Sequence, residues 1–106
     1  LSGGIDSAVV TALMQQESAE RIRTYTVGFR FGDFDEAPAA ERVAAALGTD
    51  HYAHYVDEDE VLGAIERLPF VFDEPFADSS ALPMYLIAKA ARREVTVALS
   101  GDGGDE

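Results

Sequence analysis

The chain has 106 residues and a net charge of −12, from 20 acidic against 8 basic residues, and 47% of it is hydrophobic. This length suits one small domain, and the composition is that of a globular chain rather than a disordered one. The acidic balance disfavours nucleic acid and anionic membranes as partners, because both bind clustered Lys and Arg. The chain has no Cys and 2 His, which excludes disulfides, a cysteine nucleophile and a His-based zinc site within these residues. It has no secretory signal and no apolar run of about 18 residues, so we expect a cytoplasmic protein that does not bind membranes.

The first seven residues, Leu-Ser-Gly-Gly-Ile-Asp-Ser, precede a run that is compatible with a helix. Glycines let main-chain N–H groups turn towards a ligand, and a helix N-terminus carries partial positive charge. This pattern favours a phosphate cradle, to which Ser2 and Ser7 would add hydroxyl donors. Asp6 would repel a bare phosphate, so we expect a metal ion between its carboxylate and the phosphate. The alternative is an ordinary turn with Asp6 or Ser7 as a helix cap, and this stretch alone does not decide between the two.

Helical and strand patterns alternate along the rest of the chain. Apolar residues at helical spacing predict helices, and β-branched and aromatic runs predict strands. In order, we predict a helix over 5–19, a strand over 23–29, a helix from 35 to 47 stopped by Gly48, a strand over 50–56, a helix over 57–68, a loop over 70–80, a helix from about 81 to 93 and a strand over 95–99. In the third helix, Val61, Leu62, Ile65 and Leu68 are predicted to point inward. The run Val95–Leu99 is almost continuously apolar, which is typical of a central parallel strand buried on both faces.

This alternation predicts a doubly wound α/β fold, with a mostly parallel sheet, helices on both faces and right-handed crossovers. In such sheets a ligand binds at the carboxyl ends of the strands. Two clusters of Gly, Ser and Asp, at 2–7 and 100–106, would therefore lie at one edge of the sheet. A phosphate loop normally follows a strand, and Leu1 is all that could remain of that strand here. We therefore expect residues 1–106 to be one partial domain, cut at both ends from a longer protein.

The two clusters carry a resemblance to a known family. The segment Ser2–Ser7 resembles the SGGxDS loop of the N-type ATP pyrophosphatases, the PP-loop enzymes. Together with segments 73–80, 83–86 and 99–106, it resembles the synthetase domain of the glutamine-hydrolysing asparagine synthetase family. The resemblance covers essentially the whole chain, and its motifs follow the family's order. It implies an adenine nucleotide α-hydrolase-like fold.

The resemblance implies a carbon–nitrogen ligase that binds ATP and Mg²⁺. Such enzymes activate the aspartate side chain as β-aspartyl-AMP, release pyrophosphate and convert the intermediate to asparagine and AMP. The expected partners are small molecules: ATP, aspartate, and ammonia from glutamine, which a glutaminase domain outside these residues would supply. A homodimer of the full-length protein is compatible with the resemblance. Two alternatives stay open: a related adenylating enzyme that resembles β-lactam synthetase or amidates another carboxylate, and a nucleotide-binding module without turnover. We expect residues 1–106 alone not to turn over.

The resemblance also assigns roles to individual positions. Contacts to the nucleotide match Leu1, Ser2, Gly3, Gly4, Asp6, Ser7, Val27, Ser100 and Gly101. The metal ligands match Asp6 and Asp105, and the catalytic positions match Asp102 and Asp105. Asp102 stands where some relatives have glutamate, so its carboxylate reaches about one methylene less far. From the residues alone, a general-base carboxylate is needed near the acyl carbon, but either aspartate could equally be a turn residue.

Overall fold

The computed structural model describes residues 1–30, 35–74 and 78–102. The helices and strands in these ranges are α1 (Ile5–Glu17), β1 (Arg23–Phe29), α2 (Ala37–Leu47), β2 (Asp50–Val56), α3 (Glu58–Ile65), α4 (Leu68–Val71) and α5 (Ala81–Ala91). The predicted strands over 23–29 and 50–56 are confirmed with the same bounds. The predicted helices are confirmed with ends that differ by a few residues. No helix in the described part of the chain is long and apolar enough to cross a membrane.

The two strands pair in parallel, from Arg23 opposite Asp50 to Phe29 opposite Val56. A parallel pair needs a crossover between its strands, and α2 is that crossover. Gly48 ends α2 in the left-handed conformation, with a φ of 72°, which glycine adopts without the steric penalty of a Cβ. The result is a mixed α/β arrangement, as the alternation of patterns predicts.

Helix α2 covers one face of the sheet at short range because both surfaces carry small side chains. Ala37, Ala40 and Ala44 of α2 are almost fully buried. A Cβ added to Gly28 of β1 would lie 2.9 Å from the Cβ of Ala37 and 2.5 Å from the ring of Tyr55. Gly28 therefore sets how closely the helix approaches the sheet.

Helices α3 and α5 cover the opposite face. The core there consists of Val56, Ala64 and Leu86, one residue each from β2, α3 and α5. Val27 and Phe29 of β1 pack against it, as expected from the alternation of side chains on either side of Gly28. Helices thus lie on both faces of the two-stranded sheet.

Leu86 provides a test of this core, because it is 1% exposed and is the largest fully buried side chain among the residues that the structure describes. We expect Leu86→Ala in the full-length protein to reduce the free energy of unfolding by about 2–5 kcal/mol, since burial is lost and a cavity is left. The volume-conserving change Leu86→Met should cost less than about 1.5 kcal/mol. Chemical denaturation that follows the transition of this domain measures both values. Equal losses for the two variants would contradict the packing described here.

The predicted strand over 95–99 is wrong for this structure, since β1 and β2 form a two-stranded sheet without it. Val97 is 78% exposed and Leu99 is 65% exposed, whereas the sequence pattern predicts burial on both faces. The physical reason is that no described strand pairs with this segment. The segment lines a groove beside β1 and does not pair with it. An apolar run becomes a strand only where another strand offers hydrogen bonds.

One prediction about the third helix and one about the loop that follows it are also wrong. Leu62 and Ile65 are exposed rather than inward, because α3 uses a narrow stripe, Val61 and Ala64, to contact the core. The predicted loop over 70–80 begins too early, because residues up to 71 form α4. Pro69 lies in the first turn of α4, where its missing N–H costs nothing.

Candidate active site

The loop before α1 is closed by hydrogen bonds between its own serines. The N–H of Gly4 donates to Ser2 Oγ at 3.1 Å, and the two hydroxyl oxygens of Ser2 and Ser7 lie 2.8 Å apart. Ser7 Oγ donates to the Gly4 carbonyl at 3.3 Å and accepts from the Ser2 N–H at 3.0 Å. Because the Ser7 hydroxyl hydrogen is donated to the Gly4 carbonyl, the Ser2 hydroxyl is the donor in the bond between the two serines. The hydroxyls therefore brace the loop in this structure, and each would have to turn away from its present acceptor to donate to a phosphate as the sequence predicts.

Two further bonds hold the loop to the sheet and brace the first turns of α1. The amino nitrogen of Leu1 donates to the Tyr25 carbonyl of β1 at 2.8 Å. Thr11 is 6% exposed, and its hydroxyl donates to the Ser7 carbonyl at 2.7 Å. Thr11 was not among the site residues predicted from the sequence. Its signal is its spacing, because a residue four positions after Ser7 lies on the same face of a helix.

The second cluster contacts the first through Gly101. A Cβ on Gly101 would lie 2.6 Å from the backbone nitrogen of Ser7 and 2.9 Å from its Cα. Gly101 thus lies against the first turn of α1, where backbone N–H groups have no partner within the helix. The neighbouring Ser100 Oγ accepts a hydrogen bond from the Asp102 N–H at 3.4 Å. Asp105 lies outside the described residues, so its predicted pairing with Asp6 stays a prediction.

A groove of about 1030 Å³ runs past both clusters. Nine of the predicted site residues line it: Leu1, Ser2, Gly4, Asp6, Ser7, Val27, Ser100, Gly101 and Asp102. The structure therefore brings together residues that are about 100 positions apart in sequence. Gly3 is not among the lining residues. A Cβ there would lie 2.7 Å from the Cβ of Ala39, so Gly3 permits contact between the loop and α2.

The charges around the groove are arranged unevenly. Its loop end carries the carboxylates of Asp6 and Asp102. Arg23 and Arg92 are the basic residues among the described lining residues, and both are engaged elsewhere. Arg23 lies 3.7 Å from Glu94, and Arg92 donates to the Val95 carbonyl and the Thr96 hydroxyl. A phosphate at the loop end would therefore meet negative charge unless a cation accompanied it.

The asparagine synthase family model matches residues 1–106, the whole chain. The chain belongs to the asparagine synthase family. It is 40% identical over 106 residues to the protein of Bacillus subtilis (strain 168) named asparagine synthetase [glutamine-hydrolyzing] 1. It is 30% identical over 115 aligned residues to the human protein named asparagine synthetase [glutamine-hydrolyzing].

The alignments cover the whole of this chain. They cover 17% of the Bacillus subtilis protein and 20% of the human one. The chain thus spans about a fifth of the length of the asparagine synthetases that it matches. Membership of the asparagine synthase family confirms the resemblance drawn from the two clusters. The doubly wound sheet is confirmed only as a mixed α/β arrangement with a parallel strand pair.

The resemblance implies a Mg²⁺ ion, and the described residues show whether a site for it is present. No three of the Asp, Glu, His and Cys residues that the structure describes come together as a metal-binding group. Mg²⁺, however, is usually held by one or two carboxylates together with substrate phosphates rather than by an all-protein cage. Asp6, in the first turn of α1 and at the groove, suits such a shared site. The residues therefore fit Mg²⁺ as a metal that arrives with a phosphate ligand.

Proposed function

We propose that this chain forms the nucleotide-binding core of an ATP-dependent asparagine synthetase that takes its nitrogen from glutamine. The observation that carries the proposal is the contact between the two clusters, in which Gly101 lies against Ser7 at the N-terminus of α1. This contact forms one site from two stretches that are far apart in the chain. Each stretch resembles a different motif of the same family. The match of residues 1–106 to the asparagine synthase family supports the same function.

In this proposal, the loop end of the groove holds the phosphates of ATP. The first backbone N–H groups of α1 are donors without helical partners, and the helix dipole adds partial positive charge. The hydrogen bonds between Ser2, Ser7 and Gly4 hold these groups in place before ATP binds. Such preorganisation stabilises the charge that develops on a leaving pyrophosphate. Mg²⁺, when bound with the nucleotide, would neutralise part of that charge.

The adenosine would lie towards the apolar side chains of Leu1 and Val27, which line the same groove. Leu1 is held in place by its bond to Tyr25, and Val27 by its packing against the core of Val56, Ala64 and Leu86. Pockets for cofactors combine such apolar surface with a few fixed polar groups. Ser100 and Gly101, which line the same groove, would supply polar contacts.

The proposed reaction has two steps. An oxygen of the aspartate side-chain carboxylate attacks the α-phosphorus of ATP, so that a new P–O bond forms and pyrophosphate leaves. Ammonia then attacks the acyl carbon of β-aspartyl-AMP, and AMP leaves with the electrons of the broken C–O bond. The nitrogen must lose a proton in this step. Asp102, exposed in the groove beside Ser100, is our candidate for the base that accepts it.

Isotope exchange between pyrophosphate and ATP tests the first step in the full-length protein. We expect exchange that requires both Mg²⁺ and aspartate, because reversal of adenylation returns labelled pyrophosphate to ATP. Exchange with a different carboxylic acid but not with aspartate would overturn the substrate and keep the adenylation chemistry. Absence of exchange with every acid tried, despite ATP binding, would contradict the proposed enzyme and favour a nucleotide-binding module without turnover.

A further inference from the structure

The glycine loop, residues 2–4, touches α2 at Gly3. A Cβ added to Gly3 would lie 2.7 Å from the Cβ of Ala39 and 3.9 Å from its Cα. Carbon atoms in van der Waals contact lie about 3.5–4.0 Å apart, so only a residue without a Cβ permits this approach. Ala39 lies in the first turn of α2 and is half-buried. The loop is therefore in contact with a helix that does not itself line the groove.

The backbone conformation of Gly3 does not itself require glycine. Among the described glycines, Gly48 has a positive φ and Gly3 does not. A side chain at position 3 would therefore meet no penalty of the left-handed region. The obstacle to a larger residue at this position is the Cβ of Ala39.

Helix α2 is the fixed side of this contact. Its residues Ala37 and Ala40 are 0% exposed, and Ala44 is 1% exposed. A helix packed this closely on a sheet cannot shift without opening voids or forcing overlaps. Gly3, by contrast, is exposed. The loop, rather than the helix, therefore moves when the two are pushed apart.

A movement of Gly3 displaces the parts of the loop that line the groove. Ser2 and Gly4 are its chain neighbours, and both line the groove. The Gly4 N–H donates to Ser2 Oγ, and the Gly4 carbonyl accepts from Ser7 Oγ. The loop is thus one hydrogen-bonded unit. The contact with Ala39 therefore sets the position of the N–H and hydroxyl groups at the loop end of the groove.

We propose that Ala39 is a positioning residue for the nucleotide site, because its Cβ limits how closely the glycine loop approaches α2. This role rests on the proposed function, in which the phosphates of ATP lie at the loop end of the groove. Among the described residues, those of α2 do not line the groove, so Ala39 acts through Gly3. Composition does not distinguish Ala39 from the other alanines of the helix, and the contact distance is what assigns it the role.

A pair of compensating substitutions tests this role in the full-length protein. Gly3→Ala introduces an overlap with the Ala39 Cβ, so the loop must move by about 0.8 Å or more to restore an ordinary contact. Since a displacement of about 1 Å can lower a rate by about 100-fold, we expect pyrophosphate–ATP exchange to fall by about 10- to 100-fold. Ala39→Gly removes the opposing Cβ, so the double variant should regain most of this loss.

Two controls show whether the recovery is specific. Ala46→Gly is matched, because Ala46 is an exposed alanine of the same helix, and it should not restore the activity of Gly3→Ala. Ala39→Gly should not restore the activity of Gly101→Ala, whose added Cβ meets the backbone of Ser7. Recovery in either control would indicate a general softening of the domain and would overturn the proposal. Full activity of Gly3→Ala, or no recovery in the double variant, would overturn it as well.

Thermal unfolding separates positioning from stability. Glycine is less favourable than alanine inside a helix, so Ala39→Gly should not raise the melting temperature of the Gly3→Ala protein. We therefore expect the double variant to exchange pyrophosphate faster than Gly3→Ala without being more stable. A melting temperature that recovers in parallel with the activity would show that the pair acts on stability, and the positioning role would then be rejected.

A disulfide between the two positions tests the contact without any activity. The Cβ atoms joined by a disulfide lie about 3.5–4.5 Å apart, which Gly3→Cys and Ala39→Cys reach after the same small movement of the loop. We expect this pair to cross-link within one chain under mild oxidation. Gly3→Cys with Ala46→Cys should form no disulfide, because position 46 is two turns, about 10.5 Å, further along the helix. Equal cross-linking of both pairs in peptide mass mapping would reject the contact.

The two kinds of measurement distinguish failure of the proposed function from failure of the positioning role. If the unchanged protein exchanges no pyrophosphate with any acid while the Gly3–Ala39 disulfide forms, the enzyme and the positioning role are rejected and the contact alone stands. If the unchanged protein exchanges pyrophosphate but Ala39→Gly does not restore Gly3→Ala, the positioning role is rejected and the proposed function stands.

Discussion

Changing Asp6→Asn in the full-length protein should lower aspartate-dependent exchange between pyrophosphate and ATP by about 100-fold or more. A metal at a phosphate contributes several kcal/mol of charge stabilisation, and each 1.36 kcal/mol is tenfold in rate. Asn keeps the size of the side chain but removes its charge and replaces one acceptor oxygen with an amide donor. Asp6 is exposed at the loop end of the groove, so the change should leave the fold intact.

Helix α3 offers a matched control for this variant. Asp59 occupies the same position after its N-cap, Asp57, as Asp6 does after Gly4, and both lie in the first turn of their helices. Asp59→Asn therefore removes the same favourable interaction with the helix dipole, about 0.3–1 kcal/mol of stability, but no carboxylate from the groove. We expect its exchange activity to equal that of the unchanged protein. Equal activity losses in both variants would show that Asp6 acts through the helix rather than through a metal.

The dependence on Mg²⁺ provides an internal check on the same variant. If Asp6 holds the metal, the Mg²⁺ concentration that gives half-maximal exchange should rise in Asp6→Asn, and high Mg²⁺ should restore part of the activity. A loss of activity at every Mg²⁺ concentration, with the half-maximal concentration unchanged, would contradict a metal role for this carboxylate.

The parts of the fold that depend on local sequence were predictable. β1 and β2 agree with the predicted strands because β-branched and aromatic residues within 23–29 and 50–56 favour extended backbone whatever lies nearby. Gly48 ends α2 as predicted because its left-handed conformation is a property of one residue.

The parts that depend on distant partners were not predictable in the same way. The run 95–99 has the composition of a buried strand, but its conformation depends on a neighbouring strand, and no described strand pairs with it. Leu62 and Ile65 are spaced like core residues, but the residues of α3 that pack against the core are Val61 and Ala64. Sequence periodicity identifies a possible buried face, and the neighbouring elements decide how much of that face is covered.

The candidate site also has one part that the sequence predicts and another that it does not. The two glycine clusters were predictable as one site because both follow predicted strand positions at one edge of a parallel sheet. The bracing of Ser2 against Ser7 and the anchoring of the Ser7 carbonyl by Thr11 were not predictable. These contacts depend on side-chain directions in the loop and in the first turns of α1, for which the sequence offers spacing as the clue.

The contact between the clusters leads to the second large effect, that of Gly101→Ala. The added Cβ would lie 2.6 Å from Ser7 N and 2.9 Å from Ser7 Cα. Both are backbone atoms, so neither can rotate away as the end of a side chain would. The two clusters must then separate, and a displacement of about 1 Å at a reacting centre can lower a rate by about 100-fold. We therefore expect a loss of this size in exchange activity, together with weaker ATP binding in calorimetry.

The control for Gly101→Ala is Gly63→Ala. Gly63 lies inside α3, and a Cβ there would have nothing within 4 Å. Alanine in a helix interior is more favourable than glycine by about 0.5–1 kcal/mol, so this variant should be slightly more stable and equally active. Thermal unfolding of both variants separates a local effect from a global one. A Gly101→Ala protein that binds ATP and exchanges pyrophosphate normally would show that the two clusters do not act as one site, because the close approach of Gly101 to Ser7 is the contact that joins them.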